Sequence, residues 1–213
     1  MNKIKFNCTK YDFESKAKLY LDYQELNKIH NDHKFLDLLI EGTDQSQHLH
    51  RMFYKGMDND EDFVDLYVSF IKDIIYPRYN EELLYQKFPT FRVHQPGNLG
   101  TFGWHKDSDY NHSPLEVNYF LPITSAYETN TVWYESEPRK EDFQPMTAEY
   151  GDLMEWDGAN CMHGTKINET NDTRISFDFR VLTLDDYYKY SPKESLTKGT
   201  KFNIGGYFEL LEI

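Results

Sequence analysis

At 213 residues and a net charge of −13, from 23 Lys and Arg against 36 Asp and Glu, the chain has the length of one large domain and the wrong charge for a nucleic-acid backbone as main partner. Hydrophobic residues make up 39 % and aromatics 16 %, ample for a core, yet no run approaches the roughly 18 uninterrupted apolar residues of a membrane span. The opening MNKIKFNCTKYDFESK has no apolar signal core, and Cys8 and Cys161 make no disulfide framework, so a soluble cytoplasmic protein is expected.

The first 85 residues read mainly as helical support. Weak helical patterns cover 14–30 and 33–41. A stronger one, EDFVDLYVSFIKDIIY, puts Phe63, Leu66, Phe70, Ile71 and Ile74 on one stripe, with acidic residues in its first turn and Pro77 at its end. From about residue 88 the texture changes to short β-rich runs broken by Gly, Pro and Asn. TFRVHQ, LEVNYFLPIT, TVWYES, GDLMEWD and RISFDFRVLTL are the strand candidates. In the last of these, Ile175, Phe177, Phe179 and Val181 alternate with Arg174, Ser176, Asp178 and Arg180, so one face is apolar and the other polar. That polar face could meet water, or it could line the inside of a barrel whose apolar side is covered by helices. With no repeat, linker or low-complexity tract, the pattern predicts one domain, helices packed on a β-barrel or jelly roll. Residues 86–185 form its core and 186–213 a C-terminal extension.

The stretch FGWHKDSDYN spaces His105 and Asp107 one residue apart, which on a strand puts both on one face. A bare H-x-D is common, and it gains meaning from DGANCMHGTKINETNDTRISFDFR downstream. His163 lies 58 residues beyond His105, and Arg174 follows His163 by eleven, with Ser176 two further on. Two imidazoles and one carboxylate suit non-haem Fe(II) and leave coordination positions open. A guanidinium fork beside a hydroxyl suits a carboxylate held in a partly dry pocket.

This conjunction resembles the Fe(II)/2-oxoglutarate-dependent oxygenases, and most closely the branch of phytanoyl-CoA-hydroxylase-like and StrG-like proteins, over residues 90–182. The resemblance implies a double-stranded β-helix and makes His105, Asp107 and His163 the ligands of Fe(II). It implies Arg174, assisted by Ser176, as the anchor of the 2-oxoglutarate cosubstrate, with O2 as the other reactant. Asn118 or Tyr119, on the strand after H-x-D, would touch the cosubstrate, and only one of these neighbours can face the pocket. Arg180 shares the polar face with Arg174 and is either a substrate contact or an ion-pair partner at the barrel rim.

The remaining candidates are weaker. His48 and His50 form an H-x-H pair in a polar stretch with no carboxylate in register, His94 and His112 flank the motif, and Cys161 reads as a buried inert thiol. The expected activity is hydroxylation of a small polar metabolite with release of succinate and CO2. The substrate reading rests on the charged segments DSDYNHSP (107–114) and YESEPRKEDFQP (134–145) as lids, in which an apolar ligand would leave polar groups unpaired. A cupin-like metal isomerase or a non-catalytic binding barrel is the alternative, and it has no need of Arg174 and Ser176.

Overall fold

A computed structural model gives the structure of residues 1–35, 48–79, 81–100, 103–190, 194–196 and 199–213. In chain order the strands are β1 (Asn2–Lys5), β2 (Leu83–Gln86), β3 (Thr90–His94), β4 (Val117–Pro122), β5 (Val132–Tyr134), β6 (Gln144–Pro145), β7 (Asp152–Trp156), β8 (His163–Thr165), β9 (Arg174–Thr183) and β10 (Phe208–Leu210). The α-helices are α1 (Phe13–Leu21), α2 (His48–Met57), α3 (Glu61–Phe70) and α4 (Leu184–Lys189).

All five strand candidates are strands, and the longest, β9, organises the rest. It pairs with β4 along one edge and with β3 and then β2 along the other, always antiparallel. The large sheet runs β1-β7-β4-β9-β2-β10, with β3 also on β9, and a smaller antiparallel sheet runs β6-β5-β8. Alternation decides the faces. Ile175, Phe177, Phe179 and Val181 turn toward the helices and join Phe13, Phe53, Phe63 and Phe70 in the main core. There the rings of Phe53 and Phe91 stack 4.0 Å apart, and Phe13 meets Phe177 edge-on at 5.7 Å. The other face of the large sheet meets the small sheet through Phe120, Met154 and Trp156 against Tyr134 and Met146. The polar residues of β9 therefore point between the sheets, and Arg174, Ser176 and Arg180 are buried there.

The helical readings need three adjustments. The 14–30 pattern is broken into α1 and a 3-10 turn over Leu26–Asn31, because Asp22 adopts a left-handed conformation (φ 50°) that caps α1. Helix α3 passes into a π-helical turn over Ile71–Ile75, which rotates the buried stripe to Phe63, Tyr67, Phe70, Ile71 and Ile75. Helix α2 was not anticipated; its polar composition hides Leu49, Phe53 and Met57, four apart on one buried face. Past residue 35, the expected 33–41 helix lies outside the described residues. Residues 1–85 are also less purely helical than expected: β1 extends the large sheet along β7, and β2 sits between β9 and β10. The final segment is part of the sheet through β10, where Leu84, Leu182, Phe202 and Phe208 form a third apolar cluster. Among the described residues, no helix is long and apolar enough to cross a membrane.

Candidate metal centre

His105 and His163 are brought together by a reciprocal backbone pair, each N–H donating to the other's carbonyl at 2.9 Å. Residues paired in this way carry their side chains on one face, which closes a sequence gap of 58 residues to a ring–ring distance of 4.4 Å. Asp107 heads a 3-10 turn (Asp107–Tyr110), its N–H held by the Gly158 carbonyl at 3.0 Å. The Nε2 atoms of His105 and His163 lie 3.7 and 3.6 Å from Asp107 Oδ1, and the three candidate ligand atoms all fall within 4.8 Å of one another.

The atoms turned away from this point are committed elsewhere. His105 Nδ1 donates to the Gly103 carbonyl at 3.2 Å and His163 Nδ1 to the Cys161 carbonyl at 3.0 Å, which leaves Nε2 of each ring as the basic nitrogen. Asp107 Oδ2 accepts from Arg180 Nε (2.9 Å) and Nη2 (2.6 Å) and from Asn118 Nδ2 (2.7 Å). Burial alone would raise the Asp107 pKa, but the Arg180 guanidinium, His163 and His112 together more than offset it and hold the carboxyl well below its usual range. Burial and the neighbouring His163 lower the pKa of His105, keeping the ring neutral. Neutral imidazoles and an ionised carboxylate are the protonation states that metal binding needs.

Arg174 and Ser176 lie further along the same face of β9. Arg174 is 2 % exposed and donates from Nε to the Asn130 carbonyl (3.0 Å) and from Nη1 to Ser176 Oγ (2.8 Å). Among the described residues no carboxylate lies within ion-pair distance of it. Burial pulls its pKa down to about 10, so it is still a cation at neutral pH. A buried cation without a counter-anion is costly, and a bound carboxylate would relieve that cost.

Two pairs of alternatives separate in the structure. Tyr119 turns away from the cluster: its ring stacks on Phe179 at 5.4 Å and its hydroxyl donates to Glu155 (2.8 Å), because neighbours on a strand face opposite ways. Of the two candidates, Asn118 has its side chain at the cluster. Arg180 is not placed as a substrate contact, since its guanidinium is spent on Asp107 in a buried ion pair. The H-x-H pair and His112 are engaged elsewhere. His50 is buried on α2, and His48 lies near the Phe35 ring. His112 pairs with Glu116 at 2.8 Å and packs on Phe202. Burial pushes the Cys161 thiol up to about 11, which fits an inert side chain.

Missed were Arg92 and Asp178, an ion pair at 2.8 Å that lines the cavity beside the candidate ligands with Val132, Trp156 and Gly164. Asp178 was legible from the β9 alternation and Arg92 from its place between Phe91 and Val93, but nothing in the sequence pairs the two strands. Trp156 meets the His163 ring edge-on at 4.8 Å. Its Nε1 and Asn118 Oδ1 are buried without a hydrogen-bond partner among the described residues, so a donor and an acceptor stand ready at the cavity for a polar ligand. On the far side of Gly164 lies the Trp104 indole, so close that a Cβ at position 164 would sit 2.9 Å from it. Trp104 belongs to a second cleft of about 850 Å³, lined by Phe143 and by Lys106, Glu135, Arg139 and Asp157.

His94 is fully buried with Asn130 and Asn98 carbonyls 3.1 and 2.8 Å from its ring nitrogens. Burial, aided by the charge of Arg174, lowers its pKa to about 4. Because that lies below the ordinary value of 6.5, the unfolded chain takes up the extra proton. Stability from this residue is full above 6.5 and is lost as the pH falls toward 4. Urea titrations of His94→Gln between those limits are expected to give a shallower acid slope than wild type; an equal slope would remove His94 from the account.

No family model matches the chain. The streptomycin biosynthesis protein StrG of Streptomyces griseus is 36 % identical over 170 residues, which cover 78 % of this chain and 78 % of StrG. Among solved structures, SnoN, described as a non-heme alpha ketoglutarate dependent epimerase from nogalamycin biosynthesis, superposes with a TM-score of 0.50 at 10 % identity, covering 99 % of this chain and 92 % of that one. SnoK, described as a carbocyclase from the same biosynthesis, gives 0.49 at 12 % identity over 99 % and 91 % of the two chains. The chain belongs to the StrG-like family.

Proposed function

We propose that this protein is an Fe(II)- and 2-oxoglutarate-dependent dioxygenase that hydroxylates a small polar metabolite, its two sheets forming the walls of a double-stranded β-helix in one domain spanning residues 1–213. The observation that carries the reading is the convergence of His105 Nε2, His163 Nε2 and Asp107 Oδ1, with every other polar atom of the three side chains engaged away from that point.

The two imidazoles and the carboxylate would hold Fe(II), and Arg174 with Ser176 would hold the far carboxylate of 2-oxoglutarate. When bound, iron and 2-oxoglutarate supply the activation of O2 and the oxidative decarboxylation to succinate and CO2 that drives oxidation of a substrate C–H bond. The protein's own work is positioning. The backbone carbonyls of Gly103 and Cys161 orient the two rings, while Trp156, Val132 and Gly164 wall the cavity against bulk water. The adjoining cleft, with Lys106, Arg139, Glu135 and Asp157 on its walls beside Trp104 and Phe143, supports a polar substrate, because charged walls suit polar groups better than an apolar chain.

A panel of amino acids, aminocyclitols, acyl thioesters and peptides, assayed for substrate-coupled succinate release in the presence of Fe(II), tests the reading. Coupling to the small polar compounds is expected. Coupling only to a thioester or peptide would overturn the substrate class, and no succinate under any condition would overturn the activity. Because Asp107 fills the carboxylate position and leaves no place for a halide ligand, added chloride is expected to give no chlorinated product. Mass spectrometry of the product formed in chloride buffer is the check.

A further inference from the structure

The Arg180 guanidinium is committed to Asp107, and its surroundings suggest why it is there. Its Nε and Nη2 both converge on Asp107 Oδ2, at 2.9 and 2.6 Å, and Asn118 adds a third donor to that oxygen at 2.7 Å. Among the described residues, Asp107 Oδ1 has the two histidine Nε2 atoms beside it, at 3.6 and 3.7 Å. One oxygen of the carboxylate is thus saturated and the other left open. The third nitrogen of the guanidinium, Nη1, donates to the Tyr207 hydroxyl at 3.1 Å, and that hydroxyl donates to Gln86 Oε1 at 2.8 Å. Glu116, 3 % exposed, sets its Oε2 3.7 Å from Arg180 Nε and is itself fixed by the Ser113 N–H (2.9 Å) and by His112 (2.8 Å). His112 and Tyr207 both pack on Phe202, so part of this support comes from the C-terminal segment, remote in sequence from every ligand.

We infer that Arg180 is a positioning residue that makes Asp107 a one-oxygen ligand, and that Tyr207 and Glu116 hold Arg180 for this task, so the C-terminal segment completes the metal centre. The inference rests on the proposed metal site. Its physical basis is that a free carboxylate can rotate and offer a metal both oxygens, whereas one whose Oδ2 already accepts three N–H donors offers only Oδ1. Coordination positions that a two-oxygen carboxylate would occupy are thereby kept for the other reactants.

The test is Co(II) binding, read as affinity by calorimetry and as coordination by the visible absorption of the Co(II)-loaded protein, in wild type, Arg180→Lys and Tyr207→Phe. Lysine keeps the charge but cannot place two N–H groups on one oxygen. Phenylalanine keeps the ring against Phe202 and Phe208 and removes only the hydroxyl. Expected are an affinity loss of about 10- to 100-fold for Arg180→Lys, a smaller loss in the same direction for Tyr207→Phe, and a changed Co(II) spectrum in both, with thermal midpoints monitored alongside. Should Arg180→Lys fail to fold, Tyr207→Phe decides alone. Folded variants with the affinity and spectrum of wild type would overturn the inference. Wild-type protein that takes up no Co(II) would instead overturn the metal site itself, and the two failures are distinguishable because the second appears without any substitution.

Discussion

His163→Ala is expected to lose metal binding and all substrate-coupled succinate formation while retaining its fold. His163 is the candidate ligand contributed from the far side of the sequence gap, and its ring nitrogens are divided between the Cys161 carbonyl and the open point facing Asp107 Oδ1. Alanine leaves His105 and Asp107, a two-ligand remnant that competes poorly with water for a divalent ion. The loss should exceed the roughly 10- to 100-fold that removal of an outer-shell partner costs. The strand pairing that builds the site runs through backbone atoms, Tyr134 opposite His163 and the reciprocal bonds to His105, so it survives the substitution. Calorimetric titration with Fe(II) under argon, or with Co(II) or Mn(II), measures the effect, and far-ultraviolet circular dichroism verifies the fold. Undiminished affinity in a folded variant would sink the assignment of His163 as a ligand.

Arg174→Lys should raise the KM for 2-oxoglutarate while leaving metal affinity near wild type. The native guanidinium spans two anchors, the Asn130 carbonyl and Ser176 Oγ, and no protein carboxylate among the described residues competes for it. An ammonium keeps the charge but cannot hold both anchors and still present a fork to a carboxylate. A charged hydrogen bond contributes about 1.5–3 kcal/mol, which at 1.4 kcal/mol per factor of ten corresponds to a KM increase of about 10- to 100-fold. Arg174→Ala should act in the same direction and more strongly. An unchanged KM in Arg174→Ala would move the role to Arg92, the cavity-lining arginine paired with Asp178, because Arg180 is committed to Asp107.

How much of this was legible in the sequence depends on how local each cause is. Alternation along β9 is written residue by residue, so RISFDFRVLTL alone assigns both of its faces, and all five longer strand candidates hold for the same reason. The candidate ligand set was legible because residue types and spacing survive in one dimension, and the side chains of His105, Asp107 and His163 converge. Helix α2 was hidden because its buried face amounts to a few residues in a polar stretch, and the two-residue to four-residue strands β1, β6, β8 and β10 carry too little periodicity to register.

Other features were decided only by the tertiary structure. The alternation leaves open whether the polar face of β9 meets water or the inside of the molecule, and the packing of the helices on its apolar side settles it. Asn118 and Tyr119 are equivalent as neighbours in a sequence, and it took the pairing of β4 with β7 and β9 to send one to Asp107 and the other to Phe179 and Glu155. Arg174 and Arg180 occupy the same face of one strand and look interchangeable by pattern, yet one meets carbonyl and hydroxyl oxygens and the other an aspartate. Charge and periodicity are properties of a residue and its neighbours in the chain, so the sequence states them. Which buried cation finds a counter-ion depends on segments far apart in the chain converging on one point, and only the folded chain fixes that convergence.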